Sequence, residues 1–130
     1  YYSAFYAGYY LSKEKKYEKA LFYFNKALTI YPNSADLVFN IANLKRLKKE
    51  YYDAIKYYRI AIDLYPDFDL AHLNLGKTYL DIGLEQQGID AITKAKQLNN
   101  KIYYDNLILF KEDTNLYEEN ATKIKKIFYK

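Results

Sequence analysis

A repeat of 34 residues constrains this chain more than any other feature it has. Residues 1–34 and 35–68 align without a gap, and eight positions are identical: Phe5/Phe39, Lys15/Lys49, Tyr17/Tyr51, Ala20/Ala54, Tyr23/Tyr57, Ala27/Ala61, Tyr31/Tyr65 and Pro32/Pro66. A third copy, residues 69–102, shares Asn74 with Asn40, Ile89 with Ile55, Ala95 with Ala61 and Leu98 with Leu64, but places Asn100 where the earlier copies have proline. Self-similarity at such a period means one small supersecondary unit stacked on copies of itself, each burying its apolar face only against its neighbours.

Each copy divides into two helices of about 14 residues, roughly 21 Å long, joined by a short turn. The second copy predicts helices from Ala35 to about Lys48 and from Tyr51 to Leu64, with Asn33 and Ser34 as capping candidates and Pro66 as the stop. The first predicts Tyr2 to Lys13 and Tyr17 to Ile30, ended by Pro32. The third predicts Asp69 to Ile82 and Glu85 to Leu98, with Gly83 in the turn. Small residues recur where helix axes must approach: Gly8, Ala42 and Gly76; Ala20, Ala54 and Gly88; Ala27, Ala61 and Ala95. Larger apolar residues fill the layers between, such as Leu21, Phe24 and Leu28, then Ile55, Tyr58 and Ile62.

These residues resemble the tetratricopeptide repeat family, whose pattern has Gly or Ala, aromatic, Ala and Pro at these spacings. Gly8, Tyr17, Ala20, Phe24, Ala27 and Pro32 stand in register, as do Ala42, Tyr51, Ala54, Tyr58, Ala61 and Pro66. The third copy keeps Leu75, Gly76, Tyr79, Gly83 and Ala95, and Ala4 departs from the large residue usual at its position. The resemblance implies an all-α fold, a right-handed α-solenoid of antiparallel helix pairs. About eight helices are expected, with residues 1–102 as three repeats and 103–130 as a degenerate or capping pair of the same domain. That last pair is predicted from about Tyr103 to Glu112 and from Asn115 to Tyr129, the second carrying Tyr117, Ala121, Ile124 and Phe128 on one face.

Composition narrows the chemistry. With no cysteine and one histidine, the chain has no thiolate nucleophile and little to ligate a metal; no catalytic residue, cofactor or metal site is expected. His72 falls where the family usually has a large half-buried side chain, and is read as packed. The apolar runs are far shorter than the roughly 20 residues of a membrane span, so none is expected. The net charge is +4 and 18 of the 20 basic residues are lysine, which disfavours bidentate phosphate reading and hence nucleic acid as a partner. The lysine runs at 45–49 and 123–130 are read as solvated faces. No methionine is present even at the first position, which reads as a segment of a longer chain, and the compartment stays open between cytoplasm and export.

The resemblance implies binding rather than catalysis, on the concave face lined by the first helix of each pair. In this chain that face would hold Phe5, Tyr6 and Tyr9, with Tyr2, from the first copy; Phe39, Asn40 and Asn43 from the second; and Leu73, Asn74 and Lys77 from the third. Of the positions with which chaperone-binding members grip a terminal carboxylate, only Asn40 carries the family residue, so that clamp is not expected. Asn40 and Asn74 share one repeat position, as in members that hold an extended peptide through an asparagine ladder; an amide both donates and accepts, as a peptide unit does. The expected partner is a protein or peptide held by a non-enzymatic scaffold. Alternatives are a module that self-associates or stacks through its Tyr1–Tyr10 edge, and the targeting arm of a multidomain enzyme.

Overall fold

The computed structural model of the protein describes residues 8, 11, 13–99, 101, 123, 124, 126 and 127. They hold five complete helices: α1 (Tyr17–Ile30), α2 (Ala35–Leu47), α3 (Tyr51–Leu64), α4 (Asp69–Asp81) and α5 (Glu85–Leu98). The expected count of about eight is corrected to five among the described residues. Of the other three expected helices, Tyr103 to Glu112 lies outside the described residues, and Tyr2 to Lys13 and Asn115 to Tyr129 are described only at isolated helical positions. The five that are seen end within a residue of where the repeat placed them.

Local chemistry sets those ends. Ser34 caps α2 by accepting from the Leu37 N–H at 3.3 Å, and Asp36 in the first turn with Lys45 and Arg46 in the last suit the helix dipole. Of the two capping candidates, Ser34 is therefore the one used. Pro32 and Pro66 have no N–H to continue a helix, and the residues before them, Tyr31 and Tyr65, leave the helical region at φ −123° and −143°. Asn99 leaves at φ −152° although Asn100 follows it, so the third copy reaches the same exit without proline.

The turn inside each repeat is the same device three times. The Lys16, Glu50 and Leu84 N–H groups donate back to Leu11, Lys45 and Tyr79 carbonyls at 2.8, 2.8 and 2.9 Å, which closes a Schellman turn. The residue before each donor is left-handed: Lys15 at φ 61°, Lys49 at 63° and Gly83 at 82°. Glycine takes this conformation without strain, whereas a side chain costs about 1–2 kcal/mol. Two of the three copies nonetheless place lysine there.

The chain packs as two compact units, residues 1–66 and 67–130. In the first, Ala20, Leu21, Phe24 and Ala27 of α1 meet Leu37, Ile41 and Leu44 of α2, flanked by Leu11, Tyr17, Leu28 and Tyr57. Phe24 lies against Gly8, where a Cβ would come within 2.7 Å of the ring. In the second, Leu73 and Leu80 of α4 meet Ile92 and Ala95 of α5 together with Ile124. There the Lys96 ammonium donates to the Ile127 carbonyl at 2.9 Å, Lys123 pairs with Glu85 at 3.2 Å, and the Asn99 amide donates to Asp69 at 3.1 Å.

Charges tie the first unit's two turns. Lys48 bonds Glu18 and lies 3.3 Å from Glu50, which is 3.2 Å from Lys45. Hydrogen bonds from Lys45, then Lys48, hold the Glu50 carboxyl below its ordinary value of 4.5. The bond to Glu18 holds Lys48 above 10.5, Glu50 adding to it and desolvation opposing. A depressed carboxyl stabilises the fold above its unfolded pKa and stops doing so as pH falls through its folded one; a raised lysine stabilises below its unfolded pKa and stops as pH rises through its folded one. The cluster therefore contributes in full between about pH 4.5 and 10.5 and fades beyond either limit. Thermal melts of wild type and Glu50→Gln should differ at neutral pH and converge below pH 4.5; a gap that persists in acid would mean that the glutamate acts by packing.

Candidate functional site

On α2 the residues Asp36, Phe39, Asn40 and Asn43 follow at spacings of three, one and three, so they share one face. The opposite side is spent on the core, with Leu37, Val38, Ile41, Ala42 and Leu44 buried. The Asn40 side chain donates to the Asp36 carbonyl at 2.7 Å, one turn back. This fixes the amide's direction while leaving its oxygen and second N–H unengaged among the described residues. Asn40 itself is partly exposed.

The second helix of the repeat braces this face. Tyr58 of α3 is fully buried, yet its hydroxyl donates to the Asn43 side-chain oxygen, and its ring lies 5.9 Å from that of Phe39 at an interplanar angle of 56°. A buried phenol needs such a partner. Phe39, Asn43 and Tyr58 thus form one packed group beside Asn40. From the sequence, Tyr58 is expected only among the large apolar residues that fill the layers between helices. A signal for more exists: where copy two pairs Tyr58 with Asn43, copy one has Phe24 with Tyr9 and copy three Ile92 with Lys77, so a buried hydroxyl stands at this position only where asparagine can receive it.

The three expected residues of α4 are placed differently. Leu73 is 1% exposed and belongs to the core with Ile92, Ala95 and Ile124, so its side chain is a packing contact and not a groove lining. Asn74 and Lys77 are buried too, at 9% and 6% exposure, and the Asn74 carbonyl accepts from the Thr78 hydroxyl at 2.7 Å. The physical reason is that α4 carries Leu70 and Leu80 where α2 has Asp36 and Arg46, and these leucines pack with Leu73 in the cluster that Ile124 and Ile127 join. Tyr2, Phe5, Tyr6 and Tyr9 lie outside the described residues. His72 is half-buried. Among the described residues no group of three potential metal ligands occurs, and no helix is long and apolar enough to cross a membrane.

Comparison with known proteins agrees with this architecture. Models of the tetratricopeptide repeat match residues 1–34 and 35–68. Protein O-mannosyl-transferase TMTC1 of Homo sapiens is 29% identical over 120 residues, which is 89% of this chain and only 12% of that protein. The first TPR of Spaghetti (RPAP3), solved bound to the HSP90 peptide SRMEEVD, superposes with a TM-score of 0.74 at 15% identity, covering 98% of this chain and 92% of that one. The TPR2B domain of yeast Sti1, solved in its pHsp70 complex, gives 0.74 at 16% identity over 98% and 91%. At these identities the two structures establish the fold.

Proposed function

Because the chain belongs to the tetratricopeptide repeat family, we propose that it is a non-catalytic interaction module that holds an extended segment of a partner protein against the exposed face of α2. The observation that carries this reading is Asn40, an amide held in direction by its own helix, with one donor and one acceptor still to satisfy. A peptide backbone offers the complementary pair. Phe39 supplies apolar surface beside it, and the bond from Tyr58 keeps Asn43 in place. Of the domains similar in fold, that of RPAP3 is solved with an HSP90 peptide and that of Sti1 in a pHsp70 complex. Leu73, Asn74 and Lys77 would join the surface only if α4 were uncovered.

The test is a binding titration with the partner, comparing wild type, Asn40→Ala and Tyr52→Ala. Tyr52 is 77% exposed on α3 and serves as the remote control. Losing the amide's bonds should weaken binding by about tenfold with little change in melting, while Tyr52→Ala should bind as wild type. Full binding by Asn40→Ala combined with loss in Tyr52→Ala would move the site to the second helices.

A second reading rests on the match to Protein O-mannosyl-transferase TMTC1. Here the repeats would present a bound protein to a transferase. Mass spectrometry of partners co-purified with the protein distinguishes the two: O-linked mannose on the bound segment supports presentation, and its consistent absence leaves the adaptor alone.

A further inference from the structure

The intra-repeat turns of the first unit concentrate its charge. Residues 13–19 and 45–50 hold eight cations against three carboxylates, and the remaining charges of residues 1–66, three of each sign, cancel. The two stretches form one edge, because Glu18 at the start of α1 bonds Lys48 at the α2–α3 turn. All three carboxylates are already engaged: Glu14 with Lys16 at 3.2 Å, Glu18 with Lys48, and Glu50 with Lys45 and Lys48. Lys15 and Lys49 remain exposed, with no ion pair among the described residues. They occupy the left-handed position that the third copy gives to Gly83. Turn geometry favours glycine there, so it does not account for lysine in two copies. Next to this cluster, Leu47 is 50% exposed.

We propose that this turn edge docks an acidic protein segment carrying an apolar side chain, at a place separate from the α2 face. Lys15 and Lys49 would meet its carboxylates, and Leu47 its apolar group. Chemistry favours a protein over the other polyanions. Arg46 is the only arginine at the edge, so bidentate phosphate forks are scarce. Glu14 and Glu50 interleave with the cations, which suits spaced carboxylates better than a continuous phosphate backbone or a charged lipid plane.

The probe is a dye-labelled glutamate-rich peptide with a central leucine, titrated against the full chain by fluorescence anisotropy. The Lys15→Gly/Lys49→Gly variant removes both cations yet gives each turn the residue its backbone prefers, so it should melt close to wild type. Its affinity should fall by about fivefold, the wild-type affinity should fall with added salt, and a Lys26→Gln/Lys94→Gln control should bind as wild type. Lys15→Asn/Lys49→Asn, which also tolerates a left-handed backbone, repeats the test should the glycine variant melt low. Equal binding by wild type and both turn variants, or an equal loss in the control, would overturn the proposal. Tighter binding to phosphatidylserine vesicles or to a single-stranded oligonucleotide than to the peptide would overturn it in favour of that partner.

Discussion

Phe24→Ala should destabilise the protein by about 3–5 kcal/mol, the range for deleting an aromatic side chain from a well-packed interior. The ring is 1% exposed and sits among Ala20, Leu21, Ala27, Leu37, Ile41 and Leu44. Part of its surroundings cannot collapse into the hole. Gly8, whose Cβ would lie 2.7 Å from the ring, has no side chain to offer, and Ala20 and Ala27 have only methyl groups. Urea unfolding followed by circular dichroism should show a lower midpoint with little change in slope. A loss below about 1 kcal/mol would show that the ring is not enclosed as described.

The second large effect belongs to the close approach of α4 and α5. A Cβ on Gly88 would meet the Gly76 carbonyl oxygen at 2.9 Å, and one on Gly76 would meet the Gly88 oxygen at 2.8 Å and Ile92 at 2.5 Å. Flexible side chains can move aside, but backbone oxygens move only with their helices. Gly88→Val should therefore cost about 3 kcal/mol, at the upper end for overpacking. Gly88→Ala should cost less, since alanine's helix propensity returns about 1 kcal/mol. The double change Gly76→Ala/Gly88→Ala should cost less than the sum of its parts, because helices spread for one methyl group make room for the other. Copy two already has Ala42 and Ala54 at these positions, both fully buried. Thermal melts of the singles and the double form the required cycle, and strict additivity would mean that the two glycines do not share one contact.

Much of this fold was legible because the signals were redundant. Each repeat states its period, its small positions and its stops, so the α2 boundaries follow from Ser34 at one end and the turn to Tyr51 at the other. The left-handed turns were half legible. Gly83 marks one openly, but Lys15 and Lys49 carry no turn signature of their own and are betrayed only by aligning with it. At the site, α2 presents Phe39, Asn40 and Asn43 together as the repeat register implies. The same register misled for α4. Family geometry put Leu73, Asn74 and Lys77 on an open face, whereas the leucines at 70, 73 and 80 already marked that face as one to be covered. Ile124, expected on the apolar side of the last helix, is among the residues that cover it, at 2% exposure.

In the proposed mode of binding a partner segment lies along α2 beside Asn40. A photo-crosslinking residue placed at position 40, and in a second variant at position 52, tests it most directly. Position 40 should crosslink to one defined segment of the partner, and position 52, outward on α3, should not. Crosslinks from position 52 with none from position 40 would overturn this mode of binding and place recognition on the outer helices.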